Sequence, residues 1–186
     1  MNPATLPLLT QAANGTEAAT VIEIFFLLSL LSLGPILLLT LTSFTRIVIV
    51  LSFLRQALGT QQSPSNQIII ALALFLSLYV MAPVWQQIES RAVIPYLQKQ
   101  MTPQEAISQA WGPLQAFLLR QTRKDDVNLF VEMRKDNFSQ GAETAATVLI
   151  PAFLLSELKT AFQMAFLIYV PFLILDLTVA SVLMSL

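Results

Sequence analysis

Four ionisable side chains sit where the sequence is otherwise apolar: Arg46, Glu157, Lys159 and Asp176. A charge at mid-membrane costs at least about 2.5 kcal/mol, so such groups are paired or hydrated. The four sum to zero, which allows mutual pairing. Glu157 and Lys159 are two residues apart and point to different sides of a helix, so they do not pair with each other. Each needs a partner elsewhere, on this chain or on another. Two roles follow: plain structural pairing, or a group that locks helices together or faces an aqueous path.

Ser156, Lys159, Thr160 and Gln163 fall at i, i+3, i+4 and i+7, a polar stripe on an apolar helix. Within lipid such a stripe must face a lumen or another subunit. Outside the bilayer it is simply a solvated face. Trp111, Phe117 and Phe130 stand in a charged segment beside Leu114, Leu118 and Leu129. A segment this short makes only a marginal core alone. These side chains either form that core or dock neighbouring copies, as buried aromatics often do.

Catalysis has little to draw on. Histidine and cysteine are absent, which removes the usual general base near pH 7 and all thiol chemistry. None of the patterns GxSxG, P-loop, HExxH, CxxC or GxGxxG occurs. Asp125 and Asp126 are adjacent and diverge on a helix, so they read as solvated surface and not as a metal site. Neither enzyme activity, cofactor nor metal is expected.

The elements that must position these groups are set by composition. Of 186 residues, 55% are hydrophobic and 11% charged, against roughly 25% charged in an ordinary soluble domain. Lipid or partner subunits must therefore cover much of the surface. The net charge of −1 gives no basic field for nucleic acid. Residues 1–20 are polar and read as a flexible tail without a secretory signal. Residues 21–41 carry one charge, Glu23, and would span about 31 Å as a helix. Gly34-Pro35 predicts a kink there, and apolar character resumes over 47–58 after a polar interruption. The loop GTQQSPSN (59–66) separates this from a second apolar helix over 67–84, ended by Pro83.

Residues 85–146 read as a polar helical insert, with Thr102 to Glu105 as a capping box. Gly112-Pro113 interrupts its first helix, and a second helix lies near residues 126–133. Residues 147–186 are a further apolar stretch. One helix of that length would measure about 60 Å, twice the hydrocarbon thickness, which favours a helical hairpin adjusted at Pro151 and Pro171. The stretch is still apolar at Leu186, which reads as truncation within a larger fold. Arg55 beside the short loop favours its cytoplasmic location, placing the insert outside the cytoplasm. The fold class expected is all-α: kinked apolar membrane helices and hairpins with a small extracytoplasmic insert.

Three stretches carry a resemblance: LTSFTRIVIVLSFLRQALGTQQSPSNQIIIALALFLSLYVMAPV (41–84), LLRQTRKDDVNLF (118–130) and LIPAFLLSELKTAFQMAFLIYVPFLILDLTVASVLMSL (149–186). Together they resemble the FliP/SctR family of type III protein-export gates, nearer its flagellar branch. The resemblance implies a non-enzymatic subunit of the bacterial inner membrane and flagellar basal body. Such subunits assemble as a pentamer with FliQ- and FliR-like proteins, joined by an FlhB-like protein, and pass unfolded flagellar proteins. It implies that much of the assembly stands raised toward the periplasm as a helical spiral. By motif it places Glu157 and Lys159 at the family's SELK positions, and Phe117 and Phe130 at its aromatic positions. The family's signal peptide and methionine-rich loop are not in this sequence. The competing function is an ion-coupled small-molecule transporter, supported by the intramembrane carboxylates but not by any internal repeat.

Overall fold

Thr42 and Ser43 interrupt the apolar sequence, and the helix breaks there. The computed structural model describes residues 21, 24–25, 28–29, 32, 34–37, 39–60, 63–133 and 145–185. The tail expected over 1–20 lies outside them. Internal contacts divide the chain into Met1–Leu38 and Leu39–Leu186; the second unit carries the site. In the first, the Ser29 and Ser32 hydroxyls donate to the carbonyls of Phe25 and Leu28, so these serines satisfy themselves along their own helix.

Helix α1 spans Phe44–Ala57 with Ser43 at its N-cap. It ends at Gly59, whose φ of +70° only glycine adopts without strain. Arg55 ties down the loop that follows, donating from Nη1 to the Pro64 carbonyl at 3.1 Å and to Asn66 Oδ1 at 2.7 Å.

Helix α2 spans Asn66–Ile88 and runs through Pro83, where the sequence had predicted its end. One proline removes one hydrogen bond, and residues 79–98 contain no Gly, Asn or Asp to turn the chain. A π-helical turn, Glu89–Val93, and the short helix α3, Ile94–Leu97, extend the rod to 32 residues. The rod stops at Lys99, whose φ of 57° is left-handed.

Helix α4 spans Pro103–Gln121 and begins with the expected capping box. Glu105 N donates to Thr102 Oγ1 at 3.3 Å and Thr102 N to Glu105 Oε2 at 2.8 Å. The bond from the Thr102 backbone, then that from its hydroxyl, holds the Glu105 carboxyl below its usual range. The helix continues through Gly112-Pro113 without interruption. Helix α5 spans Lys124–Met133.

Helix α6 corrects the hairpin expected over 147–186. It is a single helix of 39 residues, Ala146–Met184, with Pro151 and Pro171 inside it. The physical reason is that neither Gly nor Asn is present to reverse the chain beside Pro151 or Pro171. Two helices, α6 and the α2–α3 rod, are long and apolar enough to cross a membrane. Gly34–Leu41 with α1 makes a third if counted as one bent span. The described elements are all helical, and the chain is an all-α membrane protein.

The core crosses the boundary between insert and apolar helices. Val84 of α2, Phe117 and Leu118 of α4, and Leu149 and Phe153 of α6 form one cluster, flanked by Trp111 and Leu114. Val127 and Val131 of α5 pack with Val148 and Ala152 of α6, flanked by Phe130. Among the described residues, both clusters that hold insert side chains also include residues of α6. Those insert side chains are buried on α6.

Candidate functional site: a polar seam along α6

Helix α6 meets the rest of the chain along a line of polar groups. Two threads of this seam converge from opposite sides. From α1, Arg46 Nε donates to Glu157 Oε2 at 2.9 Å, and its Nη2 reaches Glu157 Oε1. The same Nη2 donates to Gln121 Oε1 at 3.0 Å, at the end of α4. The Glu157 side chain is 1% exposed. A bidentate guanidinium is the partner geometry that a buried carboxylate requires.

The second thread comes from the turn between α4 and α5. The Arg123 backbone N donates to Ser156 Oγ at 3.0 Å, and Ser156 Oγ donates to Asp126 Oδ2 at 2.6 Å. Lys159 Nζ donates to Asp126 Oδ1. Arg123 Nη2 donates to Thr160 Oγ1 at 3.2 Å and to Gln163 Oε1. Burial pushes the Asp126 carboxyl up. Hydrogen bonds from Lys159 and Ser156, with the charges of Lys159 and Arg123, outweigh that and hold it below the usual carboxylate range.

The sequence-derived residues are thus sorted. Arg46 and Glu157 pair, while Glu157 and Lys159 do not. The stripe of Ser156, Lys159, Thr160 and Gln163 faces this chain's own α4–α5 turn, where sequence reasoning had placed a lumen, another subunit or solvent. Asp126, read as solvated surface, is 1% exposed. Its burial had a signal: Asp126, Val127, Phe130 and Val131 share one face of α5, so the acid rides on the apolar side. Gln121 and Arg123 were missed, having no sequence mark among the insert's other polar residues. Phe117 packs against Phe153 with ring centroids 6.1 Å apart. Trp111 and Phe130 are partly buried beside the two clusters.

Asp176 stays apart. It lies in the exposed C-terminal half of α6, and no ion pair reaches it among the described residues. Around it Leu173, Ile174, Leu175, Leu177, Val179, Val182 and Leu183 are all exposed. Helix α6 is thus bound to this chain by its first half and bare over its second. Among the described residues no group of three or more acidic side chains is placed to hold a metal.

Comparison with known proteins finds relatives over most of the chain. The FliP family model matches residues 27–186. A flagellar biosynthetic protein FliP of Pectobacterium carotovorum is 47% identical over 175 residues, covering 93% of this chain and 68% of that protein. That of Aquifex aeolicus is 46% identical over 167 residues, covering 88% and 70%. That of Bacillus subtilis is 43% identical over 175 residues, covering 94% and 79%.

Proposed function

The chain belongs to the FliP family, and from that premise we propose that it is a subunit of the flagellar type III export gate. It is a membrane-associated component of flagellar biosynthesis. The finer reading is that copies of it assemble as a pentamer with FliQ- and FliR-like subunits, with an FlhB-like protein alongside. The assembly forms a channel for unfolded flagellar proteins across the inner membrane, with the α4–α5 insert toward the periplasm. The chain contributes structure to this channel and no catalysis.

The observation that carries the reading is the division of α6. Its first half is bound by core and seam, while its second half exposes a continuous apolar surface with one lone carboxylate. Exposed apolar area on this scale belongs to a chain that meets lipid or neighbours. Helix α2 adds an outward face with Phe75 and Tyr79 at 71% and 82% exposure.

The ion-coupled carrier raised by the intramembrane carboxylates draws less support. Glu157 is bound by Arg46, which of the two carboxylates on α6 leaves Asp176 to carry a proton. The two functions separate by particle size. Co-expressed with its FliQ- and FliR-like partners and extracted in mild detergent, a gate subunit co-purifies as one closed multi-copy particle in native mass spectrometry. A monomer or dimer without those partners overturns the proposal.

A further inference from the structure

Beside the seam, α1 and α6 leave an open cleft of about 410 Å³, lined by Phe53, Phe162, Gln163, Phe166 and Tyr169. Phe53 and Phe162 form its back wall edge-to-face, with centroids 5.9 Å apart. Phe166 is 67% exposed. The ring side chains follow Lys159 at i+3, i+7 and i+10 on α6, so one helix face runs from cation to aromatics over about 15 Å. Gln163 stands at the junction, because it lines the cleft and accepts from Arg123. Both described guanidinium bonds of Arg123 leave from Nη2. Its Nε and Nη1 have no partner among the described residues, and the side chain is exposed. Lys159 is half-exposed beside it.

This is an amphipathic site: apolar walls, and beyond one end the two cations Arg123 and Lys159, which outnumber the Asp126 carboxylate between them. We infer that the cleft holds one acyl chain of an anionic phospholipid, with its phosphate at Arg123 and Lys159. Two observations select this occupant over an uncharged one or a soluble one. The cleft opens on a helix apolar enough to cross a membrane, where acyl chains are the surrounding solvent. The donors at its rim match a phosphate, and each nearby Lys or Arg favours anionic lipid. The inference rests on the membrane reading and not on gate assembly. Lipid is therefore measured on the chain expressed alone, where pentamer formation plays no part.

The chain in detergent is titrated with phosphatidylglycerol and, separately, with phosphatidylcholine, and bound lipid is counted by native mass spectrometry. One phosphatidylglycerol per chain is expected, retained at least about fivefold better than phosphatidylcholine. Phe166→Ala, at an exposed position outside the core clusters, lowers retention of both lipids. Arg123→Gln lowers phosphatidylglycerol by about fivefold and lowers phosphatidylcholine, whose phosphate charge is offset by its own choline, by less; Arg123→Lys restores the preference. An unshifted unfolding midpoint shows that each variant is folded; where Arg123→Gln shifts it, the parent chain's preference for phosphatidylglycerol tests the charged end and Phe166→Ala tests the cleft. Equal retention of the two lipids by the parent chain overturns the inference. So does a lipid-free dimer whose contact Phe166→Ala dissolves, because a second copy then fills the cleft.

Discussion

Arg46 and Glu157 show what one side chain is worth in this fold. Their pair is nearly closed to solvent on the glutamate side. Removing a single partner strands the other charge, which costs about 3–5 kcal/mol for a buried pair. Arg46→Met and Glu157→Leu are each expected to lower the unfolding midpoint in detergent sharply. The double variant should recover most of the loss, because two apolar side chains of similar volume leave no charge unpaired, and the Gln121 amide that loses its bond from Arg46 is partly exposed to solvent. Single variants as stable as the parent would show that the pair contributes nothing. Asp126 makes a different prediction, in pH. Its folded-state pKa lies below the unfolded value of about 3.9. A depressed carboxylate contributes stability that is complete above the unfolded value and is lost as pH falls through the folded one. Asp126→Asn should therefore be less stable than the parent at neutral pH, yet lose less on acidification below about pH 4. Helical circular dichroism across an acid series checks this; parallel curves for the two proteins would refute it.

At the scale of elements, the long rod of α6 is the feature to test first. The chain has no native cysteine, so spin labels at Leu158→Cys and Leu183→Cys report without background. Both positions are exposed. A continuous helix separates them by about 38 Å, at 1.5 Å per residue. A hairpin adjusted at Pro171 would bring them within about 15 Å of each other, the reach of packed helices and their side chains. Pulsed-dipolar distances in nanodiscs decide between these. The hairpin was a fair reading of the sequence, because length against bilayer thickness was the only measure available. That measure assumes the whole helix lies in hydrocarbon, whereas the first half of α6 is covered by α1, α4 and α5. What is local was legible in part: the Thr102–Glu105 capping box was read as it stands, while the polar interruption before residue 47 was seen without the helix break it makes at Thr42-Ser43. The misses are tertiary. Pro83, Pro113 and Pro171 were read as breakers, but each removes only one backbone bond, a loss that packing of the whole helix outweighs even where Gly112 precedes the proline. The partners of Ser156 and Lys159 lie thirty or more residues away, beyond the reach of periodicity.

At the scale of the whole molecule, the four intramembrane charges sum to zero yet do not all pair with one another among the described residues. Arg46 answers Glu157, and Lys159 answers Asp126. Asp176 then stands without a cation among the described residues, on the bare half of α6. If α6 meets only lipid there, this carboxylate is a cost of at least about 2.5 kcal/mol at mid-membrane with no return. If it meets neighbouring subunits, it recognises a cation or polar backbone that they supply. Asp176→Leu separates these cases because it acts oppositely on chain and assembly. The isolated variant should be at least as stable in detergent or nanodisc as the parent, since an unpaired charge has been removed. The same variant should yield less of the multi-copy particle when co-expressed with its partners, because the neighbouring group loses its counterpart. Asp176→Glu, which keeps the charge, should retain more of the particle than Asp176→Leu. Particle yield that is equal for all three proteins would mean that Asp176 faces water in the finished assembly, and that the surface joining the copies lies elsewhere, with the outward face of α2 carrying Phe75 and Tyr79 as the next place to look.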